Sequence, residues 1–168
     1  PELAQLAADR PPVYPEGEEP EEIPVDETLA LRQAAIIGVG VLGAIASDEV
    51  ASRVDGSSGA SAAAAAMEVL VASASDALEP NAEVRAVACM SVADLARAAT
   101  TDDVTTSGIR CLIGALADEA DVVRIAAAHA LGLIRAPSEM QDQVARALEQ
   151  CAGDNQYWVR EAVADNES

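Results

Sequence analysis

Three closely spaced glycines, Gly38, Gly40 and Gly43, form the pattern in this chain that is nearest to a ligand-binding motif. The spacing G-x-G-x-x-G is that of loops that hold the pyrophosphate of a dinucleotide at the start of a helix. Asp55 follows Gly43 by twelve residues, whereas the ribose-binding acid of such a fold is expected about 20 residues further on. A dinucleotide fold also needs several parallel strands, and no run typical of a buried strand follows Asp55. We therefore predict that the glycines lie in a close-packed helix, and dinucleotide binding is kept as an alternative.

One histidine and three cysteines are the other candidates for catalysis or metal binding. His129 has no Ser, Cys or Asp spaced to complete a triad, so we expect it on the surface or in a groove, where it contacts a partner. Cys89, Cys111 and Cys151 contain no C-x-x-C pair, and their odd number argues against a disulfide framework. We predict no catalytic residue, no metal site, no cofactor and a reducing, cytoplasmic compartment.

The charge of the chain limits its partners. Ten Arg, no Lys and 29 acidic residues give a net charge of −19. Such a chain repels nucleic-acid phosphates and anionic membranes, and its longest apolar run, residues 34–46, is shorter than the ~20 residues of a membrane span. We predict a protein partner with a basic segment. An acid excess without Lys is also typical of halophilic organisms, whose salt screens the repulsion between carboxylates.

The elements that must position these residues are predicted to be helices. Residues 1–25 contain a short amphipathic stretch and then five Pro among many Glu, so we expect a short helix followed by an acidic extended segment. From residue 26 to residue 168 the chain is rich in Ala with a helical period. The positions of breaks rich in Pro, Gly, Ser or Thr predict helices at 60–78, 106–117 and 138–152. Further helices, which contain the repeated arginines of the next paragraph, alternate with these three.

An acidic residue precedes an Arg by six positions four times. The pairs are Asp26–Arg32, Glu79–Arg85, Asp118–Arg124 and Asp154–Arg160. An apolar residue stands directly before each Arg, and the arginines are 53, 39 and 36 residues apart. Such a period, with two helices per unit, indicates an α-solenoid. We predict a structural ladder in which each Arg meets the acid of its own or of the adjacent repeat and sets the register of the repeats.

One unit resembles a known repeat family. Residues 123–134 read V-R-x-x-A-A-x-A-L-G-x-I and are similar to the second helix of a HEAT repeat, of the short Ala-rich kind also found in phycobilin-lyase-like proteins. The resemblance extends over residues 26–164. It implies an α-solenoid of about four helix pairs, which acts as a non-catalytic protein–protein interaction scaffold with a groove lined by the second helices. The phycobilin-lyase-like members imply an enzyme or an enzyme-accessory protein as the alternative.

Two adjacent aromatic residues, Tyr157 and Trp158, stand near the C-terminal end of the repeats. Terminal repeats often have atypical residues that cap the stack. Exposed aromatic residues are also frequent anchors for a binding partner. We therefore expect this pair either to cap the last repeat or to contact a partner.

Overall fold

The computed structural model describes residues 27–52 and 57–167, and within them the side chains of residues 29–45 and 62–166. Every regular element in this part of the chain is helical, so the predicted all-α fold is confirmed. The helices are α1 Glu27–Ser52, α2 Ser57–Ser73, α3 Ala82–Ala98, α4 Asp102–Ala115, α5 Asp121–Leu133, α6 Ser138–Cys151 and α7 Tyr157–Ala164, with a 3-10 turn at Asp165–Glu167. The helix and acidic segment predicted within residues 1–25 lie outside the described residues.

The helices form two layers. Helices α1, α3, α5 and α7, which contain the repeated arginines and which we call the Arg helices, pack side by side in chain order. Helices α2, α4 and α6 form the second layer, and each of them packs on the Arg helix that follows it. This arrangement is an α-solenoid, in which each helix pair buries its apolar faces only against its neighbours.

Small residues allow the helices to approach closely. A Cβ atom added at Gly43 of α1 would lie 2.8 Å from the Cβ of Ala66 and 3.1 Å from a methyl group of Leu95.

The core is centred on α3. Val84 and Val92 of α3, like Leu95, have no exposed surface. Each buried Val or Leu side chain contributes about 1.5–3 kcal/mol, so α3, which lies between α1 and α5, anchors the core.

Two helices of the second layer differ at their ends from the prediction. Helix α4 begins at Asp102, four residues earlier than expected, because Asp102 and Asp103 interact favourably with the dipole of the first turn. Helix α2 ends at Ser73, five residues earlier than expected. Leu78 continues the apolar period of α2 in the sequence, but it lies in the following turn and is 70% exposed. No helix in the described part of the chain is long and apolar enough to cross a bilayer.

Candidate protein-binding face

The arginines of the first three repeats pair with the acid of the following repeat. Nε and Nη2 of Arg85 donate hydrogen bonds to the two carboxylate oxygens of Asp118, both at 2.8 Å. Arg124 holds Asp154 by the same two nitrogens, at 2.8 and 3.2 Å. Such two-pronged pairs fix geometry as well as adding energy. The ion pairs along this edge are Arg32–Glu79, Arg85–Asp118 and Arg124–Asp154, whereas Asp26 lies outside the described residues.

Within their own repeats, Arg85, Arg124 and Arg160 each donate a hydrogen bond to the backbone carbonyl oxygen of the acidic residue. The distances from Nη1 to the carbonyl oxygen are 3.0 Å for Arg85–Glu79, 2.9 Å for Arg124–Asp118 and 2.8 Å for Arg160–Asp154. The carboxylate meanwhile accepts the N–H two residues further along, as Asp118 does from Ala120 at 2.9 Å. The acid thus lies in the turn just before an Arg helix, with its charge directed to the preceding repeat, where the arginine of that repeat binds it.

The central ion pair is the most buried. The side chains of Arg85 and Asp118 are 2% and 4% exposed, against 12% and 13% for Arg124 and Asp154. Burial acts to raise the pKa of Asp118, but the hydrogen bonds from Arg85 and from the N–H of Ala120 outweigh it, so that the pKa lies below its ordinary value of 3.8. The pKa of Asp154 is lowered by the same balance. Both carboxylates are therefore charged at neutral pH and fully paired.

The glycines of the G-x-G-x-x-G pattern lie inside α1 and not at a turn between a strand and a helix. A Cβ at Gly40 would lie 3.0 Å from the Cβ of Ser91 on α3, and Gly43 is equally close to its neighbours. Around Gly38, in contrast, a Cβ would meet nothing within 4 Å. Gly40 and Gly43 therefore serve the close packing of helices, in agreement with the helical interpretation of this pattern.

The three cysteines lie on three different helices, α3, α4 and α6. Burial raises the pKa of Cys89 to about 12 and the pKa of Cys111 to about 11. Thiols with such values are protonated at neutral pH and unreactive. Among the residues that the structure describes, no group of three or more His, Cys, Asp and Glu side chains is placed to hold a metal ion.

The Arg helices expose one face to solvent, which we call the Arg-helix face. Because these helices pack side by side, positions at the same distance from the ladder arginine form rows across the face. Two residues before the arginine, the row is Ala30, Glu83, Val122 and Trp158. Five residues after it, the row is Ile37, Met90, His129 and Asp165, and nine residues after it, the row is Val41, Asp94 and Leu133. All of these side chains are exposed, and most are apolar.

The residues named from the sequence as partner contacts divide between exposed and half-buried positions. His129 and Trp158 lie on the Arg-helix face. Tyr157 is half-buried, and its ring meets that of Trp158 edge to face with centroids 5.0 Å apart. The apolar residues of the face were not identified from the sequence. Aligning the four repeats on the ladder arginine would have shown that these residues fall at the same few positions of the repeat. The missed residues are Ile37, Val41, Met90, Val122 and Leu133.

A groove of about 300 Å³ crosses this face between α1 and α3. The helices touch at its base, where Gly40 lies against Ser91, and the one charged side chain in its lining is Asp94. The carboxylate of Asp94 is 61% exposed, and Nη1 of Arg97 lies 3.8 Å from it, which is a weak contact at the surface. The groove is therefore apolar, with one carboxylate at its rim. Its walls are formed by Ile37, Val41, Val87 and Met90.

Stacked helix pairs joined along one edge by arginine–acid pairs define an α-solenoid of the HEAT type. The chain belongs to the HEAT repeats, since the model of that family matches residues 67–166, more than half of the chain. The matched range begins in α2 and covers three helix pairs, so the family predicted from residues 123–134 is confirmed. No curated protein and no solved structure is significantly similar to the chain.

Proposed function

We propose that this HEAT-repeat protein is a non-catalytic interaction module that binds a segment of a partner protein on the Arg-helix face. The observation behind the proposal is the apolar character of that face in a chain with a net charge of −19. Six of the eleven large apolar side chains that the described residues expose lie on it. Exposed apolar patches of this kind mark interaction sites, and Trp158 is of the residue type most enriched among interface hot spots.

The partner segment we propose combines an apolar residue with an Arg or Lys. The apolar residue enters the groove between α1 and α3, and the cation meets Asp94 at its rim. Glu83 and Asp165 place further carboxylates on the same face. The negative field of the whole molecule favours encounter with a basic segment and disfavours acidic competitors.

Selection of peptides from a displayed random library, in 1 M KCl, tests the proposal. Ile37 lines the groove, and Val69 lies on α2 in the other layer, and both side chains are 50% exposed. We expect the selected peptides to be rich in apolar residues and Arg or Lys, and to lose at least tenfold in affinity for Ile37→Glu while binding Val69→Glu as they bind the parent. Peptides that bind the two variants equally, or an unenriched pool, would show that the face is not the binding site.

We also infer that the protein works at high salt, as its 29 acids and lack of Lys support. The cytoplasmic location stays a prediction. The two alternatives also stay predictions, and each has a direct assay. Phycobilin-lyase-like activity requires that the protein bind a bilin, which changes the absorbance spectrum of the pigment. Dinucleotide binding would give a saturable heat signal when NAD or NADP is titrated into the protein in a calorimeter.

A further inference from the structure

On α3 and α5, the side of the Arg helix that faces the preceding repeat is buried and almost entirely apolar. Counted from the ladder arginine, the residues at −1, +3, +6 and +10 lie on this side. On α3, Ser91 and Leu95 from this set lie against α1 at Gly40 and Gly43. The members of the set on α3 and α5, all 8% exposed or less, are Val84, Ala88, Ser91, Leu95, Val123, Ala127, Ala130 and Ile134.

The same four positions on α1 are Leu31, Ala35, Gly38 and Leu42, and nothing in the described part of the chain covers them. Leu31 is 70% exposed and Leu42 is 68% exposed, whereas their counterparts on α3 have no exposed surface. On this side, α1 has the apolar residues that are typical of a helix inside the stack, but no described helix covers them. With Ile45, one turn further on and 49% exposed, these residues form a stripe along the helix that we call the α1 seam.

The α1 seam has the spacing of a helix–helix contact. Its residues 31, 35, 38, 42 and 45 recur at intervals of four and three, which is the pattern of an antiparallel or parallel coiled pair. Two antiparallel copies centred on Gly38 would place Leu31 opposite Ile45, and Ala35 within one position of Leu42. The large Leu31 and Ile45 would then pack on each other at both ends of the seam, and Leu42 would meet the small Ala35. The two backbones would approach most closely at Gly38, where a Cβ meets nothing within 4 Å.

Charge also favours a second copy as the occupant of the seam. Residues 28–47 contain no acid, which makes them the longest acid-free stretch of the chain. Residues 1–25 of the same chain carry seven acids and one Arg, so that covering the seam with them would bring carboxylates onto an apolar surface. The same stretch, 28–47, of a second copy brings none. The two-fold arrangement is also the commonest symmetry of protein dimers, in which one patch meets itself.

We propose that two copies of this protein pair through the α1 seam, antiparallel and with the two-fold axis at Gly38. The seam lies on a different side of α1 from the Arg-helix face, so the dimer leaves that face free and does not depend on the proposed function. Each copy brings 19 negative charges, and the Debye length falls from ~10 Å at 0.1 M salt to ~3 Å at 1 M. Pairing is therefore stronger in concentrated KCl.

Sedimentation equilibrium of the full chain tests the pairing. In 2 M KCl and at tens of micromolar protein we expect twice the monomer mass of 17.2 kDa. The variant Leu42→Glu should weaken pairing at least tenfold. Leu78→Glu is the matched control, since Leu78 is as exposed as Leu42 but lies in the turn between α2 and α3. Parent protein that stays monomeric under these conditions, or equal weakening by both variants, overturns the proposal.

Cysteine cross-linking tests the position of the axis. Gly38 and Gly114 both have nothing within 4 Å of an added Cβ, and Gly114 lies on α4 in the second layer. Under mild oxidation in 2 M KCl, Gly38→Cys should give a covalent dimer in high yield, and Gly114→Cys should give no more than the parent with its three native cysteines. A Gly38→Cys protein that pairs in the centrifuge but does not cross-link beyond the Gly114→Cys level would refute the antiparallel seam centred on Gly38.

Discussion

Replacing Arg85 by Ala is the most severe single change that the structure allows us to predict along the ladder. The substitution removes two hydrogen bonds to Asp118 and one to the carbonyl oxygen of Glu79. The side chain of Asp118 is only 4% exposed in the parent. In the variant its carboxylate stays buried and keeps the hydrogen bond from the N–H of Ala120 but loses its charged partner. A buried charge without its partner is strongly destabilising, because the cost of removing it from water is no longer offset.

The free energy of unfolding lost when an arginine is replaced by Ala should increase with the burial of its ion pair. Removing one partner of a buried ion pair costs about 3–5 kcal/mol, and we expect this range for Arg85→Ala. The side chains of Arg124 and Asp154 are 12% and 13% exposed, so water can partly replace the lost partner, and we expect about 2–3 kcal/mol for Arg124→Ala. Arg146 is exposed on α6, and Arg146→Ala should change the free energy of unfolding by less than about 0.5 kcal/mol.

Urea unfolding followed by circular dichroism, at fixed salt, measures these differences. The double variant Arg85→Met with Asp118→Leu should recover most of the loss, since apolar residues of similar size often replace a buried ion pair without cost. A loss for Arg85→Ala no larger than that for Arg146→Ala would refute the reasoning. So would a double variant less stable than Arg85→Ala, because the loss would then not arise from the unpaired carboxylate.

Four further outcomes are expected. The pKa of Asp118 is lower in the folded state than its ordinary 3.8, so its contribution to the free energy of unfolding is present above about pH 4 and is lost as the pH falls through the folded value. Measuring the free energy of unfolding against pH should show this loss for the parent and a smaller loss for Asp118→Asn. In dilute low-salt solution, Gly38→Ala should raise the free energy of unfolding by up to about 1 kcal/mol, because the site is open, whereas Gly43→Ala should lower it by about 1–3 kcal/mol through overpacking; a reversed order in thermal melting would contradict this assignment. The melting temperature should rise between 0.1 and 1 M KCl as the repulsion among the carboxylates is screened, and an unchanged or lower value would count against adaptation to high salt. Cys89 has no exposed surface and a pKa of about 12, so it should react with a thiol reagent at pH 8 only after unfolding. Cys111 is partly exposed with a pKa of about 11 and should react slowly in the native protein. Rapid modification of Cys89 in the native protein would show that it is not buried.

The one-dimensional pattern was sufficient for the fold class. Helical periodicity and an acid six residues before each Arg predict helix pairs that repeat. Such signals are local, because each depends on residues within two turns of helix. Helix ends were predicted less well, as at Leu78, because whether an apolar residue continues a helix or lies in a turn depends on what it packs against. The apolar rows of the Arg-helix face were missed for the same reason, since exposure is a property of the assembled layers.

Only the tertiary structure decided which acid each arginine binds. The sequence left the acid of the same repeat and that of the adjacent repeat equally open. In the fold, the acid's carbonyl oxygen faces its own arginine while its carboxylate accepts the N–H two residues on, as with Asp118 and Ala120, so the charge is available to the repeat before it.

The glycine at the end of α5 was likewise explained by distant residues. Asn166 donates a hydrogen bond to the carbonyl oxygen of Ala128 at 2.8 Å, and a Cβ at Gly132 would overlap the side chain of Asn166. The Leu-Gly step of the repeat pattern was legible in the sequence as a resemblance. In the fold, this glycine leaves space for the side chain of Asn166, 34 positions further along the chain, and that contact exists only where the chain returns to pack on itself.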